Sequence, residues 1–188
     1  MHGGKRYRMS DSQQRLQQIT FIVTDVDGVL TDGRIWFDGE GEPFRYLFAR
    51  DGTGLTLWHL SGGKSAIVTG LGSKALETIK QHWRCDELYM WVKDKGRVCR
   101  EIAAKYGIRT DQMAFIADDI IDLPGLEAVG LPVAVADAVP AVKQASSLVL
   151  ESAGGQGAVR ELVELILSAQ GRLDETIQKY ITRKDHPI

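Results

Sequence analysis

The sequence predicts an α/β domain built on a doubly wound, mostly parallel sheet with a projecting β-hairpin. Two observations carry that expectation. Short, unbroken apolar runs such as Phe21-Ile22-Val23-Thr24 and Ala66-Ile67-Val68-Thr69 are what strands covered on both faces need. Between these runs lie segments with helical apolar spacing, and parallel neighbours require a crossover of that kind. A chain of 188 residues supplies one such core and leaves little room for a second domain.

The elements follow in order. Residues 1–10 are basic and Gly-containing and read as a frayed tail, after which 11–170 form the domain. A short polar helix over Asp11 to Gln18 leads into the first strand. Ile35-Trp36-Phe37 and Phe44 to Phe48 flank the turn Asp38-Gly39-Glu40-Gly41-Glu42, which makes 34–48 a hairpin. Beyond Asp51-Gly52 an apolar-spaced stretch, Leu55 to Leu60, links to the strand Ala66 to Thr69. A helix then runs from Ser73 to about His82. Leu88 to Met90 is a short strand, Asp94 to Tyr106 a helix stopped by Gly107, Met113 to Ala117 a strand, and Leu123 to Val129 a helix ended by Gly130. Val133-Ala134-Val135 and Leu148-Val149-Leu150 are the last strands, with a helix from Val139 between them. Ala158 to Ala169 is an amphipathic helix, and 171–188 is a helical tail.

Composition narrows the function. With 23 Lys+Arg against 25 Asp+Glu the net charge is −2, so no field favours nucleic acid or an anionic membrane, and a small molecule is the expected partner. No apolar run reaches the roughly 18–20 residues that span a bilayer, and the first residues lack the apolar core of a signal peptide. Cys85 and Cys99 are too few for a disulfide framework and lack zinc-site spacing, which suits a reducing, cytoplasmic setting.

The chemistry concentrates in Asp25-Val26-Asp27-Gly28-Val29-Leu30-Thr31-Asp32, directly after the first strand. Two carboxylates at i and i+2 beside a turn glycine can converge at a strand end and take different roles there. The same letters occur in ordinary turns and in calcium loops. A calcium loop fails because its twelfth position, which needs a bidentate Glu, is Trp36. Three further groups stand at later strand ends: Thr69 in Val68-Thr69-Gly70, Lys95 at a helix start, and Asp118-Asp119-Ile120-Ile121-Asp122. Singly, a strand-end Thr, a helix-start Lys and an Asp pair before a helix have dull explanations in propensity, solvation and capping.

In this order the four groups resemble the motifs of the haloacid dehalogenase (HAD) superfamily, a Rossmann-type fold. The resemblance implies phosphate-ester hydrolysis with Mg2+ as cofactor. Asp25 would attack phosphorus, Asp27 would protonate the leaving oxygen and then activate water, and Thr69 and Lys95 would hold the phosphoryl group. Asp25, Asp118 and the backbone carbonyl of Asp27 would bind the metal, with Asp119 orienting a metal-bound water and Asp122 at a helix start in a supporting place. The types suit the task, because a phosphate monoester is anionic and slow to hydrolyse, and magnesium prefers hard oxygen ligands. A phospho-accepting receiver domain shares the sheet and the acids, but a second acid beside the nucleophile is needed only for turnover.

The stretches after Leu30 and after Thr69, about 35 and about 25 residues to the next motif, are too short for a large cap domain, so the chain reads as capless. Within that branch Ile19 to Asp174 is similar to the 3-deoxy-D-manno-octulosonate 8-phosphate (KDO 8-phosphate) phosphatases of lipopolysaccharide precursor synthesis. The likeness rests on Asp25 to Gly33, Arg50-Asp51-Gly52-Thr53-Gly54, Asp118 to Pro124, Val129 to Asp137 and Gly154 to Glu161. It implies a homotetramer assembled through the hairpin, and Arg50, Asp51 and Gly70 near the substrate. Four positions depart from the family pattern: Leu71 and Gln156 where Arg is usual, Met90-Trp91 for Gln-Gly, and Ala117 for Gly. The two lost cations leave open another substrate, such as a nine-carbon 2-keto acid 9-phosphate, or a scaffold with impaired catalysis.

Overall fold

Every residue of Phe21–Thr24 (β1) is buried, as a run with no polar alternation requires, since both of its faces must be covered. The computed structural model, which describes residues 11–183, meets that requirement with a six-stranded sheet. The remaining strands are β2 (Trp36–Phe37), β3 (Pro43–Phe44), β4 (Lys64–Val68), β5 (Glu87–Tyr89), β6 (Met113–Ala117), β7 (Leu131–Ala134) and β8 (Leu148–Val149). The large sheet runs β5-β4-β1-β6-β7-β8, and each neighbouring pair in it is parallel.

The helices are α1 (Asp11–Gln18), α2 (Ala49–Leu60), α3 (Lys74–His82), α4 (Lys95–Tyr106), α5 (Leu123–Glu127), α6 (Pro140–Ala145), α7 (Ala158–Ala169) and α8 (Leu173–Thr182). Seven of them pack as two groups, α2 with α7 and α8 and α7 with α1, and α4 with α5 and α5 with α6, while α3 packs on β5. That is the arrangement a doubly wound sheet needs. The chain leaves β1 toward β4 and β5 on one side, then crosses to β6, β7 and β8 on the other. The connections therefore diverge between β1 and β6, and the carboxyl ends of strands at such a point are where ligands of open α/β sheets bind. Among the described residues no helix is long and apolar enough to cross a membrane.

Two details go beyond the sequence reading. The apolar-spaced stretch Leu55 to Leu60 is the end of a longer helix, α2, whose first turns take in 49–54. Its Gly52 and Gly54 are poor helix formers, costing about 1 kcal/mol each against Ala, but packing overrides propensity: a Cβ on Gly54 would lie 2.8 Å from Arg160 Cα of α7. The hairpin is also shorter than the sequence suggests, with only Trp36↔Phe44 and Phe37↔Pro43 paired. Its turn is closed by Asp38 Oδ1, which accepts from the backbone N–H groups of Glu40 and Glu42. The second strand stops at Phe44, and the side chain of the next residue, Arg45, is buried. The tail expected over residues 1–10, and the last five residues of the 171–188 tail, lie outside the described residues.

Candidate active site

Asp25 follows β1 directly, and its backbone N–H donates to Ile116 O of β6 across the divergence point. The loop beyond it is a tight turn in which Leu30 and Thr31 N–H groups return to Val26 O. Thr31 Oγ1 accepts from the N–H groups of Gly28 and Gly33. Gly28 has a left-handed φ of 90°, and a Cβ there would sit 2.0 Å from Asp118 Oδ2. Only glycine lets this loop lie against the acidic group that follows β6.

Lys95 opens α4 immediately after Asp94, whose side chain caps the helix by accepting from Arg97 N–H. Side chains in a helix lean toward its N-terminus, so Lys95 is aimed back at the strand ends. Its ammonium is buried, 2.7 Å from Asp25 Oδ1 and also paired with Asp122 Oδ1. Ligand atoms of Asp25, Asp118 and Asp122 all lie within 4.8 Å of one another. The expected pair Asp25 and Asp118 is therefore brought together, and Lys95 faces it.

The electrostatics show a pocket short of positive charge. Burial pushes the Asp25 carboxyl up to about 7, with Asp122 adding to the rise and Lys95 opposing it. Burial, then Asp122 and Asp119, push Asp118 to about 7 as well. Asp122 is also raised, by burial first, against the pull of Lys95. Burial acts to depress the Lys95 ammonium, but Asp25 and Asp122 outweigh it and hold it above its ordinary value. One ammonium serves three buried or half-buried acids, and Asp118 Oδ1 is a buried oxygen with no hydrogen-bond donor. Carboxylate oxygens so placed fit a divalent cation, which reverses these shifts when bound.

A cavity of about 300 Å³ opens over these groups, lined by Asp25, Asp27, Thr69, Gly70, Leu71, Asp118 and Asp119 among others. Thr69 directly follows β4, one residue beyond its last strand position, and its Oγ1 accepts from Leu71 N–H at 3.1 Å. Asp119 is exposed, and its Oδ1 accepts from Ile120 N–H at the start of a turn. Arg50 and Asp51 line no part of the cavity. Arg50 is exposed and lies over the Phe48 ring. Asp51 is fully buried and accepts from Arg160 N–H at the start of α7. Asp51 thus ties α2 to α7, satisfying a helix-end N–H group that would otherwise be buried without a partner.

Two residues make contacts in this cluster that sequence reading did not give them. Asp122, taken as a helix-start residue, is fully buried and is the second anchor of Lys95; its place in an acid-rich run after a strand was the available signal. Arg45 was not singled out, yet its guanidinium grips Asp27, with Nε to Oδ1 at 2.6 Å and Nη2 to Oδ2 at 3.0 Å. Trp91, where glycine is usual, takes a left-handed φ of 61°, a conformation that costs an L-residue roughly 1–2 kcal/mol.

Comparison with known proteins agrees with this geometry. Residues 66–162 match the family model of the haloacid dehalogenase-like hydrolases. The chain is 38% identical over 160 residues to the 3-deoxy-D-manno-octulosonate 8-phosphate phosphatase of Haemophilus influenzae, covering 85% of this chain and 89% of that one. The crystal structure of the corresponding phosphatase from Yersinia pestis superposes with a TM-score of 0.85 at 39% identity, covering 88% and 89% of the two chains. That of the Moraxella catarrhalis enzyme, in complex with magnesium, phosphate and KDO, gives a TM-score of 0.87 at 31% identity, covering 92% and 99%.

Proposed function

The chain belongs to the haloacid dehalogenase-like hydrolases, as a magnesium-dependent phosphatase of that family, and from that premise we propose that it hydrolyses KDO 8-phosphate through an aspartyl phosphate on Asp25. The observation that carries the reading is the Lys95 ammonium set between Asp25 and Asp122, with Asp118 within ligand reach of both. It supplies a carboxylate nucleophile beside fixed positive charge and an oxygen set for a hard cation.

The steps follow from the residues present. Asp25 Oδ attacks phosphorus; the bond to the sugar oxygen breaks, and that oxygen takes a proton from the Asp27 carboxyl. Asp27, now a carboxylate, removes a proton from water as the water oxygen attacks phosphorus, and the bond to Asp25 breaks to release inorganic phosphate. Thr69 and Lys95 hold the phosphoryl oxygens through both steps. Magnesium bound by Asp25 and Asp118, with the Asp27 carbonyl, neutralises phosphate charge.

The lining supports a second reading of the substrate. Ile35, Leu71 and Ile121 form part of the wall, and no Lys or Arg is among the lining residues, which suits another sugar phosphate whose acid group lies elsewhere. A panel of sugar phosphates that includes KDO 8-phosphate and a nine-carbon 2-keto acid 9-phosphate decides between them by kcat/KM with and without magnesium. Highest kcat/KM on KDO 8-phosphate is expected; preference of about tenfold or more for another member replaces that substrate.

The same reading includes a homotetramer joined through the hairpin. Trp36, Phe37, Phe44 and Tyr46 are each more than half exposed, an apolar surface of the kind that marks an interface. Sedimentation should give the mass of four chains, and the double variant Trp36→Ser/Phe44→Ser should shift it to smaller species. A parent that sediments as one chain removes the proposal.

A further inference from the structure

Arg45 comes from the exit of the hairpin, yet its side chain is only 4% exposed. Its guanidinium joins three segments. Nε and Nη2 take one oxygen each of Asp27, Nη2 also donates to Leu71 O at 2.9 Å, and Nη1 reaches Ser73 Oγ at 3.4 Å. A two-pronged grip fixes the plane of a carboxylate as well as its distance, and here the fork itself is locked by a backbone carbonyl and a hydroxyl. Asp27 remains part of the cavity lining, and of the roughly four acceptor positions of a carboxylate the fork takes two.

We propose that Arg45 is a positioning residue for Asp27, setting the angle at which that carboxyl meets first the leaving oxygen and then water. The proposal rests on the assignment of Asp27 as acid and base given above. A misplaced proton donor loses rate while the phosphoryl group still binds, because Thr69 and Lys95 hold it from other segments. The same contacts fasten the loop after β4, from Thr69 to Ser73, to the loop after β1.

The test compares leaving groups. A sugar alkoxide needs a proton to depart, whereas p-nitrophenolate departs without one. In Arg45→Ala, kcat for the preferred sugar phosphate should fall by about 100-fold with KM changed less than about threefold, while the pre-steady-state burst of p-nitrophenolate from p-nitrophenyl phosphate keeps the parent's rate. Arg45→Lys, which restores the charge without the fork, should recover part of the loss. Equal losses in the first step on both substrates, in a variant whose melting temperature matches the parent's, would mean that the contact is merely structural and would overturn the proposal; so would an unchanged kcat. If Arg45→Ala does not fold, the same comparison on Arg45→Lys decides, with a loss confined to the sugar phosphate expected. A parent that releases phosphate from neither substrate overturns the phosphatase reading, and this inference with it.

Discussion

Asp25→Asn is expected to slow magnesium-dependent phosphate release by at least about 10⁴-fold while leaving the protein folded and, in EDTA, more stable than the parent at neutral pH. The loss of rate follows from the chemistry: an amide oxygen is a poor nucleophile, and the ester's slow reaction with water has no other carboxylate positioned as Asp25 is. The gain in stability follows from burial. The Asp25 carboxyl titrates near 7 in the folded chain instead of near its ordinary 3.8. Between those values the folded chain keeps a proton that the unfolded chain has released, so the contribution of this group falls as pH rises through that window and stays at its lowest above it. Asparagine has no such dependence, and the unfolding profile of the variant in EDTA should be flatter from about pH 4 to pH 7 than that of the parent. Added magnesium should then raise the melting temperature of the parent more than that of the variant, because the variant has lost a charged ligand. If parent and Asp25→Asn are equally inactive on every substrate of the panel, the chain is a scaffold; if the variant retains the parent's rate, the nucleophile is another group.

How much of this was legible depended on distance along the chain. Asp25, Asp27, Thr69 and Asp118 follow the ends of strands that read as buried apolar runs, and Lys95 opens the helix after a half-buried strand, so a parallel sheet had to gather them at one edge. The contacts that the sequence did not reveal are made with partners far away along the chain. Arg45 meets Asp27 across 18 positions and Leu71 across 26, and nothing in Phe44-Arg45-Tyr46 distinguishes it from a solvated strand residue. Asp51 caps α7 across 109 positions, a contact that nothing in its own neighbours, Arg50 to Gly54, announces. The start of α2 was itself hidden by two glycines whose small size serves contact with α7 and Trp83. Local pattern reports what a segment does with its own backbone; it is silent on which remote group a side chain will neutralise.

Lys95→Met tests that electrostatic pairing most severely, with expected losses in both activity and stability. The ammonium lies among Asp25, Asp122 and Asp118 and is almost completely buried. Breaking a buried pair by removing one partner costs about 3–5 kcal/mol, which for a chain of this size lowers the melting temperature by roughly 6–20 °C. Activity should fall by about 10²–10³-fold or more, since a preorganised cation opposite developing phosphate charge is lost. A structural and a catalytic role of one residue can be separated here. Asp122 is paired with Lys95, and replacing both charges removes the unmatched acid, so Lys95→Met/Asp122→Asn should recover much of the lost stability. It should not recover phosphate release, because the phosphoryl oxygens still lack their ammonium. Magnesium should also narrow the stability gap of the single variant, as a divalent ion neutralises the acids that Lys95 left behind. Should the double variant regain both stability and rate, Lys95 matters only as a counter-ion to the acids, and phosphate is held by other groups.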